Sequence, residues 1–414
     1  MIITADAHIQ EPDDLFTRRL PAHDQFRAPT FHRFPNGMKL WTSNGILVAR
    51  TPDYLRPKWG TDDEFTLIGP DDVPGFIDDM DADGVDASVL HPNVGLLIND
   101  LDEPEFANRC ARIYNDHVAE VYAGTGRLYP QAIIALHDID EAVREIERAA
   151  TLGFTGVELP MSAPPEAPYF SHRYDPVWAA AERLGLPIVM HVGSGQRRGS
   201  LNPSTALQGV SFTQASNAYQ WPAGHPDHLA AMCAVKTLIG GFGGFGGQAA
   251  TTIPALVGGG VLERFPSLHF VFVEVGARWL LNLMDTMDDA WHTTPGVNEI
   301  IRSFFRPDGS MYPQFQPDEI GLQWPFPLTP SQYVRRQIHV TFMDDWVALR
   351  NRSLTGWEPL IWGNDYPHNE GTWPRSQEAI ESQCARAELP AEQKAAIFGG
   401  TIAGLLRLPA AAAA

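Results

Sequence analysis

Short apolar and β-branched runs recur along the chain: Met1 to Ala5, Gly84 to His91, Leu128 to Leu136, Phe154 to Pro160, Leu186 to Val192, Leu268 to Val275, Ile338 to Phe342 and Leu360 to Asn364. Between them lie longer stretches with apolar residues at helical spacing, among them Glu103 to Ala123, Ile139 to Leu152, Asp175 to Leu184 and Gly276 to Trp291. Strand and helix patterns alternating eight times predict an α/β fold, a (β/α)8 TIM barrel.

Two stretches break the rhythm. Residues 12–70, after the first strand, are rich in Pro, Gly and Asp, and Lys39 to Ala49 reads as a hairpin turning at Ser43-Asn44-Gly45. Residues 292–336, before the seventh strand, are similarly irregular. Both are too long for plain connections, so they are expected to be lobes or lids over the barrel mouth. The run Gly240 to Gly247 follows no strand and precedes no Gly-Lys-Ser/Thr, so it reads as a joint or close backbone contact rather than a phosphate loop. One barrel domain over 1–409 is expected, with the alanine tail 410–414 disordered.

Composition narrows the function. With 414 residues, 44% hydrophobic content, Trp 11, Phe 21 and Tyr 10, the chain can build a large core and an aromatic pocket. Its formal charge of −20, with no basic cluster, argues against nucleic acid as a partner. An anionic substrate would need compensation from a metal or from arginines such as Arg197, Arg198 or Arg278. Cys110, Cys233 and Cys384 are too few and too scattered for a disulfide framework or thiolate cluster. Without a basic leader or a long apolar run, the reading is a cytoplasmic protein that does not enter a membrane.

Three predicted strands end in metal-ligand residue types: Asp6-Ala7-His8, then His191, then Asp365. Alternate residues of an extended chain project to one side, so Asp6 and His8 can both reach the barrel axis. Metal-assisted chemistry needs three or four rigid ligands with a coordination position left open, which strand ends of a barrel can supply. Asp365 could instead cap a following helix.

Other positions carry weaker signals. Glu11 can orient a ligand or reach substrate. His368, three residues beyond Asp365, can steady it, donate to substrate, or simply start a helix. In His225-Pro226-Asp227-His228 the proline suggests a helix start, so only one imidazole is expected to point inward at the mouth. His91, His137 and His339 sit near strand ends, where each could line the pocket, with a hydrogen-bonded packing role expected first.

The chain resembles the amidohydrolase-related metal enzymes, in the branch that includes aminocarboxymuconate semialdehyde decarboxylase and the resorcylate decarboxylases. The resemblance spans nearly the whole chain. It rests on Asp6-Ala7-His8-Ile9-Gln10-Glu11-Pro12, Met190-His191-Val192-Gly193, Leu262-Glu263-Arg264-Phe265-Pro266 leading to Glu274, and Gly363-Asn364-Asp365-Tyr366-Pro367-His368. It implies a distorted barrel and one divalent cation, zinc first, held by Asp6, His8, His191 and Asp365. A carboxylate at Asp6 makes the donor set harder and brings Mn2+ into consideration. Decarboxylating relatives usually carry a histidine at the end of strand six, where this chain has Glu274; that carboxylate could bind the metal, accept a proton, or anchor an arginine.

The leading expectation is a metal-dependent hydrolase of a small aromatic or carboxylated compound, with Asp365, Glu274 and His368 as catalytic groups and Glu11, His225, His228 and Arg278 as substrate contacts or supports. The alternative is a non-oxidative decarboxylase of an aromatic or unsaturated acid on the same site. A binder with a decayed metal site is the remaining possibility. Trp41, Trp59, Phe304, Phe305 and Trp324 are candidate pocket aromatics, and exposed aromatic insertions suggest a homodimer.

Overall fold

A computed structural model describes residues 1–33, 38–43, 46–52, 72–93, 95–101, 103–164, 167–195, 246–292, 324–368 and 371–408. Arg197, Arg198, His225, His228, Cys233, Trp59, Phe304, Phe305, Asn44-Gly45, most of the glycine run and the alanine tail lie outside these residues.

The strands are β1 (Ile3–His8), β2 (Thr30–Arg33), β3 (Met38–Ser43), β4 (Ile46–Pro52), β5 (Ala87–His91), β6 (Leu128–Pro130), β7 (Ala132–Ile133), β8 (Val157–Pro160), β9 (Ile188–His191), β10 (Phe270–Val273), β11 (Ile338–Phe342) and β12 (Leu360–Trp362). Parallel pairing runs β1-β5-β6 in one sheet and β7-β8-β9-β10-β11-β12 in another. The two sheets are one ring. At Gln131 the third barrel strand passes between them: Gln131 N–H donates to Leu90 O (3.0 Å), and Ala132 N–H donates to Gly156 O (3.2 Å). On the other side, Asp365 N–H donates to Asp6 O (2.8 Å) and His8 N–H to Tyr366 O (2.6 Å), joining the continuation of β12 to β1. The predicted eightfold TIM barrel is therefore present.

Alternation along the strands sorts side chains to two faces. Leu90, Leu159, Met190, Phe270, Phe272, Val340, Leu360 and Trp362 belong to the main buried cluster, shared with helix residues such as Phe106, Ile146 and Trp178. Ile3, Ala5, Ala87, Val89 and Ile361 form a separate cluster with Ile402 and Leu406, and Val189, Val271 and Val273 another. Leu405 packs on both of these smaller clusters. A short helix, Thr401–Leu405, thus touches strands from opposite sides of the ring and closes the end of the barrel where the strands begin. The C-terminal strand ends are left as the mouth, the face on which such barrels carry their chemistry.

The predicted helices appear as Pro104–Tyr122, Ile139–Thr151, Asp175–Leu184 and Leu280–His292. The helix Val73–Asp83 is additional: Asp72 caps it by accepting from Gly75 N–H (2.7 Å), and Gly84 ends it at φ +69. Pro330–Gln337 falls inside the stretch expected to be irregular. Its signal was present, since Thr329 and Gln332 form a reciprocal capping box around a proline start. The glycine run ends in the helix Gly246–Gly258, where a Cβ on Gly246 would stand 2.8 Å from the Trp279 indole, a close contact of the kind expected.

β3 and β4 pair antiparallel with Ser43 opposite Ile46, as the hairpin reading requires, and β2 adds a third strand. Trp41 is buried and stacks on Phe31 at 6.1 Å, while the Trp324 indole N–H donates to Leu328 O (2.7 Å). Both are packing residues, so the homodimer expectation draws no support from them. Among the described residues, no helix is long and apolar enough to cross a membrane.

Candidate metal centre

β1 does not deliver Asp6 and His8 by simple alternation. Thr4 lies opposite Ser88 but Ala7 opposite Leu90, so one extra residue is inserted in β1. The bulge lets Ile3 and Ala5 face the lower barrel while Asp6 and His8 face the mouth. Thr4 holds it: its hydroxyl donates to Asp6 O (2.8 Å) and accepts from Asn364 N–H (2.8 Å).

The four predicted ligand residues converge, all buried. His8 Nε2 lies 3.5 Å from Asp6 Oδ1, 3.4 Å from Asp365 Oδ1 and 3.1 Å from His191 Nε2. His191 Nε2 lies 3.7 Å from Asp6 Oδ1 and 3.6 Å from Glu274 Oε2. Donors held tetrahedrally about 2.1 Å from one ion stand roughly 3.4 Å apart. Asp6, His8 and His191 are spaced as ligands of one cation, and Asp365 approaches them through His8.

The tautomers point the same way. His8 Nδ1 is 3.0 Å from Pro92 O and His191 Nδ1 is 2.9 Å from Val192 O. A carbonyl only accepts, so both Nδ1 atoms donate and the two Nε2 atoms face each other, with room between them for a proton on His8 or for a cation that replaces it. A carbonyl behind each imidazole is the usual support of a metal-binding histidine. Asp6 Oδ1 and both Asp365 carboxylate oxygens are buried without a well-formed hydrogen bond among the described residues. The residues present therefore fit a divalent ion.

Electrostatics express the same demand for positive charge. Burial works against the imidazolium of His8, yet Asp365 and Asp6 outweigh it and raise the group well above its ordinary value. Burial lowers His191, with Asp6 only partly opposing. Burial opposes ionisation of Asp6, but His191 and His8 hold its carboxyl far below the carboxylate range. Asp365 is likewise depressed against burial, chiefly by His368.

Two mouth carboxylates sit on strained backbone. Glu274 has φ +62 and Asp365 φ +56, a left-handed region that costs non-glycine residues about 1–3 kcal/mol and clusters at functional sites. His368 joins them: its Nδ1 lies 2.8 Å from Asp365 Oδ1 and its ring stacks on His8 at 4.1 Å. His8, Glu274, Asp365 and His368 each offer a ligand atom within 4.8 Å of the others.

Glu11 Oε1 accepts from Asn93 N–H (3.0 Å) and Gly95 N–H (2.9 Å), so it fixes the loop whose Pro92 carbonyl orients His8. Arg278, expected as a substrate contact or support, is 61% exposed, with Nε 3.2 Å from Asp345 Oδ1. His91 and His339 are buried and hydrogen-bonded, in line with the packing reading.

Sequence reasoning missed Glu158, whose Oε2 is 3.1 Å from His91 Nδ1 beneath the cluster. It also missed Gln248, which accepts from Gly193 N–H (2.9 Å) and donates to Ser162 Oγ (2.9 Å) and Ser194 O (3.2 Å), bracing the loop after His191. Glu158 is a carboxylate inside the apolar run Phe154 to Pro160, a signal that was available; Gln248 had none.

Among solved structures, the chain is similar to an amidohydrolase from Mycobacterium avium subsp. paratuberculosis K-10, at 18% identity, covering 98% of this chain and 97% of that one, with a TM-score of 0.67. It is similar to 5-carboxyvanillate decarboxylase from Sphingomonas paucimobilis, at 20% identity, 99% coverage of both chains and a TM-score of 0.61. A third is a dihydroxybenzoic acid decarboxylase from Polaromonas sp. JS666 with bound manganese and the inhibitor 2-nitroresorcinol, at 17% identity, 99% and 98% coverage and a TM-score of 0.58. No curated protein matches the chain. The family model described as amidohydrolase matches residues 6–408, and with nearly its whole length accounted for, this chain belongs to that family.

Proposed function

We propose that the protein is a metal-dependent, non-oxidative decarboxylase of a hydroxylated aromatic carboxylic acid. The convergence of Asp6, His8, His191 and Asp365 at the barrel mouth carries this reading, because it gives the cation-binding face on which such an acid can be gripped. Decarboxylases of that substrate class among the full-length structural neighbours support it over hydrolysis, which moves to second place. Manganese is preferred to zinc, on the carboxylate share of the donors and the manganese held by the Polaromonas enzyme.

Asp6, His8, His191 and Asp365 would hold the ion. When bound there, a divalent cation supplies a Lewis acid for a substrate oxygen and stabilises developing charge. Loss of carbon dioxide breaks the bond between ring carbon and carboxyl carbon. The electron pair stays on the ring, which must then take a proton. Asp365 and His368, paired at 2.8 Å, hold that proton and deliver it to the ring carbon. In the hydrolytic reading the same pair would accept a proton from water.

The test is incubation of the Mn2+-loaded protein with a panel of hydroxybenzoic acids in deuterium oxide and with their esters and amides in oxygen-18 water. Carbon dioxide equal to substrate consumed, with one deuterium on the ring, is the expected result. A product labelled with oxygen-18 and no carbon dioxide would establish the hydrolase instead.

A further inference from the structure

We infer that Glu274 is a fifth protein ligand, making the donor set three carboxylates and two imidazoles. The inference rests on the metal-dependent reading above and concerns which side chains hold the ion. Glu274 is buried at the mouth, directly after β10, and its Oε2 lies 3.6 Å from His191 Nε2, the separation already seen between His191 and Asp6. Its carboxylate also falls within the same 4.8 Å group as His8 and Asp365. It therefore bridges the two halves of the site.

The backbone supports the assignment. Among the described residues, the non-glycine residues with positive φ are Glu274, Asp365, Glu388 and Arg407, and the first two are mouth carboxylates, Glu274 directly after β10 and Asp365 three residues after the end of β12. The same unusual turn thus brings one carboxylate after β10 and one after β12 into the group that holds His8. Glu274 N–H is fixed in this turn by donating to Thr341 Oγ1 (2.7 Å) on β11. Arg278, four residues further on, is directed onto Asp345.

Chemistry separates this set from one with four protein donors. Three carboxylates and two neutral imidazoles carry a formal charge of −3 around a divalent ion, a hard, oxygen-rich surrounding that suits Mn2+ better than the tetrahedral preference of Zn2+. Five protein donors leave one position of an octahedron for a substrate oxygen. An imidazole in place of Glu274 would lower the charge and favour Zn2+.

Equilibrium dialysis with metal analysis should be run for Mn2+ and Zn2+ on the wild-type chain, Glu274→Gln and Glu274→His. Wild type is expected to hold one Mn2+ per chain. Loss of an outer-sphere partner weakens metal binding by about 10- to 100-fold. Glu274→Gln should therefore weaken Mn2+ by more than about a hundredfold, and Glu274→His should move the preference toward Zn2+. A smaller loss in a folded Glu274→Gln chain overturns the fifth ligand while leaving the metal site intact. A wild-type chain that binds neither ion overturns both. If Glu274→Gln does not fold, a structure of the Mn2+-loaded wild type decides: a Glu274 oxygen about 2.2 Å from the ion is expected, and one beyond about 3 Å refutes the assignment.

Discussion

His8 and His191 turn their Nε2 atoms toward each other across 3.1 Å, and a cation bound between them would take the place of the proton that His8 otherwise holds. A ligand that binds only the folded state at about 100 times its Kd adds about 2.7 kcal/mol. Saturating Mn2+ should therefore raise the melting temperature by a few degrees, and a chelator should reverse the rise. In His191→Ala the rise should vanish; an equal rise in both chains, read by scanning calorimetry, would remove His191 from the site. At this scale the sequence was informative where chemistry ended an apolar run, as at Asp6, His8, His191 and Asp365. It was silent on supports made by distant partners. Glu158 meets His91 from 67 positions away, and nothing near either residue announces the pair.

Asp365 stays in its strained turn because a helix from elsewhere in the chain clasps the loop. Asp79 and Asp83, one turn apart on Val73–Asp83, are both buried against the segment after β12. Asp83 accepts from Asn364 Nδ2 (3.1 Å), Ser376 N–H (2.8 Å) and Ser376 Oγ, while Asp79 takes the Tyr366 hydroxyl. Removing an acceptor from a buried donor costs about 1–3 kcal/mol, so Asp83→Ala should lose about 3 kcal/mol or more in urea unfolding. It should also weaken Mn2+ binding at least tenfold, and Asp83→Asn should recover part of both losses. Unchanged metal affinity in a folded Asp83→Ala chain would separate the clasp from the site. Eight strands could be placed from apolar runs alone because barrel strands are buried on both faces. The bulge in β1 could not, since it arises from pairing with β5 rather than from residue order. The helix Val73–Asp83 combined a good cap with buried acids, so its apolar stripe was interrupted where the function lies.

The whole molecule is a ring with chemistry at one end and a plug at the other, and the plugged end has its own pH limit. His339 on β11 is buried, its Nδ1 3.0 Å from Glu358 O and its Nε2 3.0 Å from His269 Nδ1. Since the Glu358 carbonyl must accept, His339 donates through Nδ1 and receives from His269 through Nε2, which requires a neutral ring. Burial, with His269 beside it, pushes the His339 imidazole down to about 3 from an ordinary 6.5. Between those values the unfolded chain binds a proton that the folded chain refuses, so stability falls as pH is lowered through the window and is independent of this group above it. From pH 7 to pH 5 the loss from His339 alone is about 2 kcal/mol. Urea unfolding at both pH values should show that loss in the wild type. In a chain with His339→Gln, which cannot titrate there, the difference should shrink by the same amount. An unchanged difference would assign the acid sensitivity of the barrel to other groups and leave this buried histidine pair a passive part of the core.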